Sequence, residues 1–144
     1  MAKLGTEMGA VQYPLIRYAV EVGWKRINPN DAYNLRGGEG GLLLRDTFLS
    51  QVHNLNLGIV DFGIAEDLAK RLTHVFPRIE GNLEAWEYLR GRKTVFVPSE
   101  KLEKNVQLLS DNWRENTYHV TDELRYDSGT HRIRLDVAFF INGI

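Results

Sequence analysis

The sequence predicts an α+β fold, and three features carry that prediction. Up to about Arg90, apolar residues recur at spacings of three and four, the period of an amphipathic helix. From Thr94 onward the pattern turns to strands, with alternation clearest in the last run, where β-branched and aromatic residues fall at every second position. Helices followed by an antiparallel meander are the order of an α+β chain rather than of alternating βαβ units.

Taken in order, a short polar lead is followed by one apolar stripe of Met8, Val11, Leu15, Tyr18 and Val22. Pro14 lies inside it, so the helix either kinks there or begins there with Pro14 in its first turn. Gly23 is its stop. Glu7 would project at the edge of the buried stripe if the helix starts before it. Trp24 to Ile27 reads as a short strand, and Asn28 to Gly41, rich in Asn, Asp and Gly, as a loop. A second helix is expected from Leu42 to about Leu55, burying Leu44, Phe48, Val52 and Leu55. A third runs from about Asp61 to Val75, burying Ile64, Leu68, Leu72 and Val75. Asp61 suits its N-cap, and Lys70, Arg71 and His74 suit the negative end of its dipole. A short fourth spans about Leu83 to Arg90, with Asn82 as cap and Leu83, Trp86 and Leu89 inward. Strands follow at Thr94 to Val97, Asn105 to Ser110 and Tyr118 to Tyr126, and the turn Asp127-Ser128-Gly129-Thr130 leads into the last one.

That last stretch, Arg132 to Ile141, alternates cleanly. Ile133, Leu135, Val137, Phe139 and Ile141 share one face, with Arg132, Arg134, Asp136, Ala138 and Phe140 on the other. Asn142-Gly143 then signals a tight hairpin, whose returning strand would begin at Ile144. Asp136 interrupts the apolar half of the strand. Its charge needs compensation, because an unpaired ionised group is costly to desolvate. Two solutions stand: an ion pair with Arg134 or a cross-strand Arg such as Arg125, or a divalent metal, since hard carboxylates on neighbouring strands converge on Mg²⁺.

Composition narrows the class. At 144 residues, 43% hydrophobic and 26% charged, residues 1–144 are expected to be a single soluble domain, or a large piece of one. A net charge of −1 gives no global footprint for nucleic acid, but leaves room for a locally acidic nuclease site. Without cysteine there is no disulfide framework, zinc-thiolate site or thiol nucleophile. No apolar run approaches a membrane span and no signal-peptide pattern opens the chain, so the cytoplasm is the default location. The glycine run Gly37 to Gly41 lacks Gly-Lys-Ser/Thr and G-x-G-x-x-G spacing, and Glu39 would repel a phosphate; it reads as a flexible loop. His53, His74, His119 and His131 never fall at metal-ligand spacing. Glu84 and Glu87 read as a solvated helix face.

Thr6-Glu7 opening a helix that ends Val22-Gly23-Trp24 resembles the start of the restriction subunit of type I restriction-modification enzymes. So does Tyr118-His119-Val120-Thr121-Asp122-Glu123, with Tyr126, the turn, and Arg134 to Ile144 after it. The resemblance spans essentially the whole chain and is most specific from Tyr118 to Ile144. It implies a PD-(D/E)xK-type endonuclease domain at the N-terminus of an ATP-driven DNA translocase. By the resemblance, Asp136 matches the first Mg²⁺ ligand and Glu7 an accessory acid near the metal, although an acid in a first helical turn also simply favours the dipole. The family's Glu-x-Lys sits on the next strand, beyond Ile144. The chain is therefore expected to be an incomplete N-terminal endonuclease domain, inactive alone because one carboxylate cannot assemble the metal site. Its partners would be DNA and the specificity and methyltransferase subunits, with ATP bound elsewhere in the subunit. Two other functions fit the residues: a non-catalytic docking or structural module of a larger DNA-processing complex, and a stand-alone resolvase-like nuclease.

Overall fold

A computed structural model describes residues 8–144 as two compact units. One comprises the described residues up to Leu44 together with Tyr118–Ile144, and the other Arg45–Thr117. In chain order, a π-helical turn (Met8–Gln12) leads into α1 (Tyr13–Glu21), then β1 (Lys25–Arg26), α2 (Pro29–Leu35), α3 (Arg45–Leu55), α4 (Phe62–Thr73) and α5 (Ile79–Leu89). β2 (Thr94–Val97), β3 (Leu102–Asn105), a 3₁₀ turn (Trp113–Glu115), β4 (Tyr118–Asp127) and β5 (Arg132–Ile141) follow. Helices precede most of the strands, as an α+β chain requires.

The first unit is a three-stranded sheet in the order β1-β4-β5. β4 and β5 are antiparallel, whereas β1 runs parallel to β4 through Lys25↔His119 and Arg26↔Val120. That parallel pairing is non-local and has no short-range signal in the sequence. The sheet is apolar on both faces. One cluster joins Ile16 and Ala19 of α1 to Val120, with Trp24 and Val137 packed against it. The other joins Ile27, Ala32, Leu44, Leu124 and Phe140, with Tyr126 and Ala138 beside them. Trp24 meets Tyr118 and Phe139 edge-on, each at 5.0 Å between ring centroids.

Four expectations need correction here. Pro14 does lie in the first turn of α1, but the buried face is Gln12, Ile16 and Ala19, while Val11, Leu15, Tyr18 and Val22 are exposed. The helix is apolar on more than one side, and the small Ala19 lets it approach the sheet. The segment expected to be a loop contains α2. Asn28 caps it by accepting from the Asp31 amide at 2.8 Å, and Pro29 supplies a preset first turn. α5 begins earlier, at Ile79, and buries Tyr88, leaving Leu83 and Trp86 exposed. The strand expected at Asn105 to Ser110 is instead β3, which pairs with β2 from Leu102 to Asn105. Val106 and Leu108 are fully buried outside any strand, because Asn56 anchors that backbone. Its side chain donates to Gln107 O and accepts from Gln107 N, both at 2.7 Å.

In the second unit α3 and α4 pack together. Phe48 and Val52 are fully buried on α3, and Leu68 on α4. Asp61 is the N-cap of α4 as expected, accepting from Ile64 N at 2.8 Å.

Candidate functional site

β5 ends in a two-residue hairpin turn. Asn142 and Gly143 both adopt positive φ, 53° and 81°, the conformation that an Asn-Gly pair accommodates most readily. Ile141 and Ile144 exchange both backbone hydrogen bonds across it, at 3.1 and 3.0 Å. The turn is held from the side by Leu44, whose amide donates to Gly143 O at 2.8 Å. Ile144 thus pairs with Ile141 on the edge of β5 that β4 does not occupy.

Asp136 lies at the middle of β5 and is exposed. The sequence led us to expect a buried acid held by Arg134 or Arg125; the structure gives neither burial nor partner. Among the described residues the Asp136 side chain makes no hydrogen bond and no ion pair. Its expected partner is taken elsewhere: Arg134 Nε lies 3.3 Å from Glu123 Oε2. Burial fails because β5 is the last strand of the sheet, and the strand's first half is exposed through Asp136.

Glu123 is the residue that sequence reasoning missed. The register Asp122↔Val137 and Leu124↔Leu135 sets it opposite Asp136. Its φ is +49°, a left-handed conformation that a non-glycine residue rarely adopts inside a strand. A signal existed, because counting back from the turn after Asp127 pairs these two positions. The other acids of β4 are occupied. Asp122, with 8% of its side chain exposed, accepts from Arg26 Nη2 at 3.2 Å. Asp127 takes Arg132 Nε at 2.6 Å and the Gly129 amide at 2.7 Å, and these hold its carboxyl below the usual range, the Gly129 bond contributing most.

Among the described residues no other candidate joins Asp136. Glu7 lies outside the described residues. His74 Nδ1 is 2.7 Å from Lys70 O, a helix-end contact, and His131 sits in the β4–β5 turn beside Thr130. His119 Nδ1 is buried without a hydrogen-bond partner, and burial, then the charge of Lys25, lower its pKa. Among the described residues no three acidic or histidine side chains come together as a metal site. The glycine run, expected to be a flexible loop, is tied to its surroundings at two points. Arg36 Nη1 donates to Gly41 O at 2.7 Å, the Asp127 amide donates to Glu39 O at 3.1 Å, and a side chain at Gly41 would collide with the Arg36 carbonyl.

The arrangement of an unpaired strand carboxylate ahead of a tight hairpin coincides with a family match. The pattern that defines the type I restriction enzyme R protein N terminus covers residues 6–144. The chain belongs to that family. It is the N-terminal region of a type I restriction enzyme R subunit, part of a restriction-modification endonuclease. R subunits imply a DNA substrate, companion subunits and a divalent-metal requirement. No curated protein and no solved structure matches the chain. No helix among the described residues is long and apolar enough to cross a membrane.

Proposed function

We propose that this region supplies the first half of the nuclease centre of the R subunit, with Asp136 as a metal-binding carboxylate and Glu7 as an accessory acid. The observation that carries this reading is the free, exposed Asp136 on β5, five residues from the end of a strand that closes in a tight turn pairing Ile141 with Ile144. An unpartnered carboxylate keeps its hard oxygens available for Mg²⁺. It is one ligand and not a complete set, so we place the remaining acid and a lysine on the strand that returns beside β5. Residues 1–144 then form one incomplete nuclease domain, inactive by itself.

Bound there, a divalent ion would supply Lewis-acid stabilisation of a phosphodiester and lower the pKa of an attacking water. The chain's own part is to hold the Asp136 carboxylate at a fixed height on a strand clamped by β4 on one side and by the hairpin turn at its end. In the complete subunit this centre hydrolyses DNA, coupled to ATP-driven translocation by a separate motor region. It works with specificity and methyltransferase subunits in the cytoplasm. In the assembled enzyme, Asp136→Ala should abolish cleavage and leave ATPase activity intact. Cleavage at the wild-type rate would discard the reading. Loss of folded protein would favour a structural role, though the exposure of Asp136 speaks against it.

A further inference from the structure

Along the β4–β5 pair lie two hollows of about 330 and 290 Å³ that share Arg125 and Glu39, one reaching Glu123, opposite Asp136 in the register, and the other Arg134, two residues before Asp136 on β5. The larger is also lined by Asn30, Tyr33, Arg36 and Glu123, the smaller by Arg132 and Arg134. The charges in them are unevenly matched. Glu123 holds Arg134, Asp127 holds Arg132, and Glu39 is the acid that acts on Arg36. Arg125 is the cation left over, with no side-chain hydrogen bond or ion pair among the described residues. It also stands directly opposite Arg134 in the β4–β5 register. Like charges in a directly opposed cross-strand pair are destabilising unless something of opposite sign sits between them. Beneath them Arg36 is only 7% exposed and bonds no carboxylate. Its Nη2 donates to Arg125 O at 2.8 Å, which fixes the strand there, and its Nε–H is buried with no acceptor. That leaves Arg36 with one donor still to be met, beside the uncompensated Arg125.

We propose that Arg125, with Arg36 and Arg134 around it, seats a backbone phosphate of the DNA strand next to the one presented to Asp136. This rests on the nuclease reading of Asp136. Arg134 and Asp136 are two residues apart on β5, about 7 Å along the strand. That spacing is comparable with one nucleotide step, so a phosphate at Arg125 positions its neighbour at the carboxylate. Guanidinium is suited to the task because its fork matches phosphate oxygens.

The test uses the full-length protein in its assembled enzyme and compares Arg125→Ala, Arg125→Lys and Asp136→Ala. Arg125→Ala should raise the DNA concentration for half-maximal cleavage by about tenfold and reduce the salt slope of DNA engagement by about one. Arg125→Lys should restore most of both, and the melting temperature of Arg125→Ala should not fall, because Arg125 is exposed and its loss relieves the like charge of Arg134. Unchanged half-saturation and salt slope would overturn the proposal. So would a fall in melting temperature common to Arg125→Ala and Asp136→Ala, since that marks the two as a structural ion pair. Loss of companion-subunit binding with unaltered DNA dependence would also overturn it, by making Arg125 a protein contact. Asp136→Ala that cleaves normally while Arg125→Ala still shows its salt effect would sink the nuclease reading and leave the phosphate seat standing.

Discussion

β4 and β5 are equal in length and paired almost residue for residue, yet they treat their acids in opposite ways. β4 is the central strand. Val120, Thr121, Asp122 and Leu124 are buried on it, and Asp122, Glu123 and Asp127 each have an arginine partner. β5 is the outer strand, exposed from Arg132 to Asp136, and its one acid has none. An acid that a fold uses for its own stability acquires a partner. One left bare beside occupied neighbours is available for something outside the fold, and that contrast is what sets Asp136 apart.

The contrast breaks most visibly in activity. Asp136→Ala should reduce cleavage by roughly 10³-fold or more, as loss of an essential catalytic group does. Urea unfolding of the same variant should show a change within about 0.5 kcal/mol, as for an exposed position without partners. Asp122→Ala should do the reverse in stability, costing about 1–2 kcal/mol, because it strips a part-buried hydrogen bond from Arg26. The figure stays below that of a fully buried pair because Arg26 is 46% exposed and can turn to water. If both variants unfold at the same urea concentration, the two acids are not different in kind.

Glu123 sharpens the comparison from the β4 side. Its left-handed backbone would relax in Glu123→Gly, which should stabilise by up to about 1 kcal/mol once the lost, partly exposed contact to Arg134 is set against it. Glu123→Val should destabilise by about 2 kcal/mol, since a β-branched residue is strained at that φ. Equal melting of the two would show that the left-handed conformation carries no strain.

The smallest effect is one of pH. His119 on β4 has its folded pKa lowered by burial and by Lys25, so the unfolded chain binds the extra proton first. Stability from this group is therefore full above about pH 6.5, the unfolded value, and declines as pH falls toward the lower folded value, where it levels off. Thermal melts from pH 7.5 to 5 should show that decline, and His119→Gln should flatten it.

Much of this was legible locally. The hairpin at Asn142-Gly143, the span of β5 and the Asp61 cap all follow from chemistry within a few residues, and the structure keeps them. α2 was legible too, in Asn28-Pro29 followed by Asp31, but its Asn and Gly content resembled a loop. What could not be read depended on partners distant in sequence. The α1 face was misassigned because Ile16 and Ala19 are chosen by Val120 and Val137, more than a hundred residues on. The burial of Asp136 was misjudged for a similar reason: alternation shows which residues share a face, not whether anything covers it. Arg134 then proved to be engaged by Glu123, a pairing set by register and by a backbone conformation that the residue type does not announce.

The central claim is that Asp136 is free in the fold because it binds metal. The most direct measurement is a Mn²⁺ binding titration of the full-length protein, without nucleotide, against its Asp136→Asn variant. The account predicts that the variant loses one ion-binding site, or weakens it at least about tenfold as loss of a charged ligand would, while its melting temperature is unchanged. Identical Mn²⁺ isotherms for the two proteins would contradict it and leave Asp136 a surface residue of the outer strand.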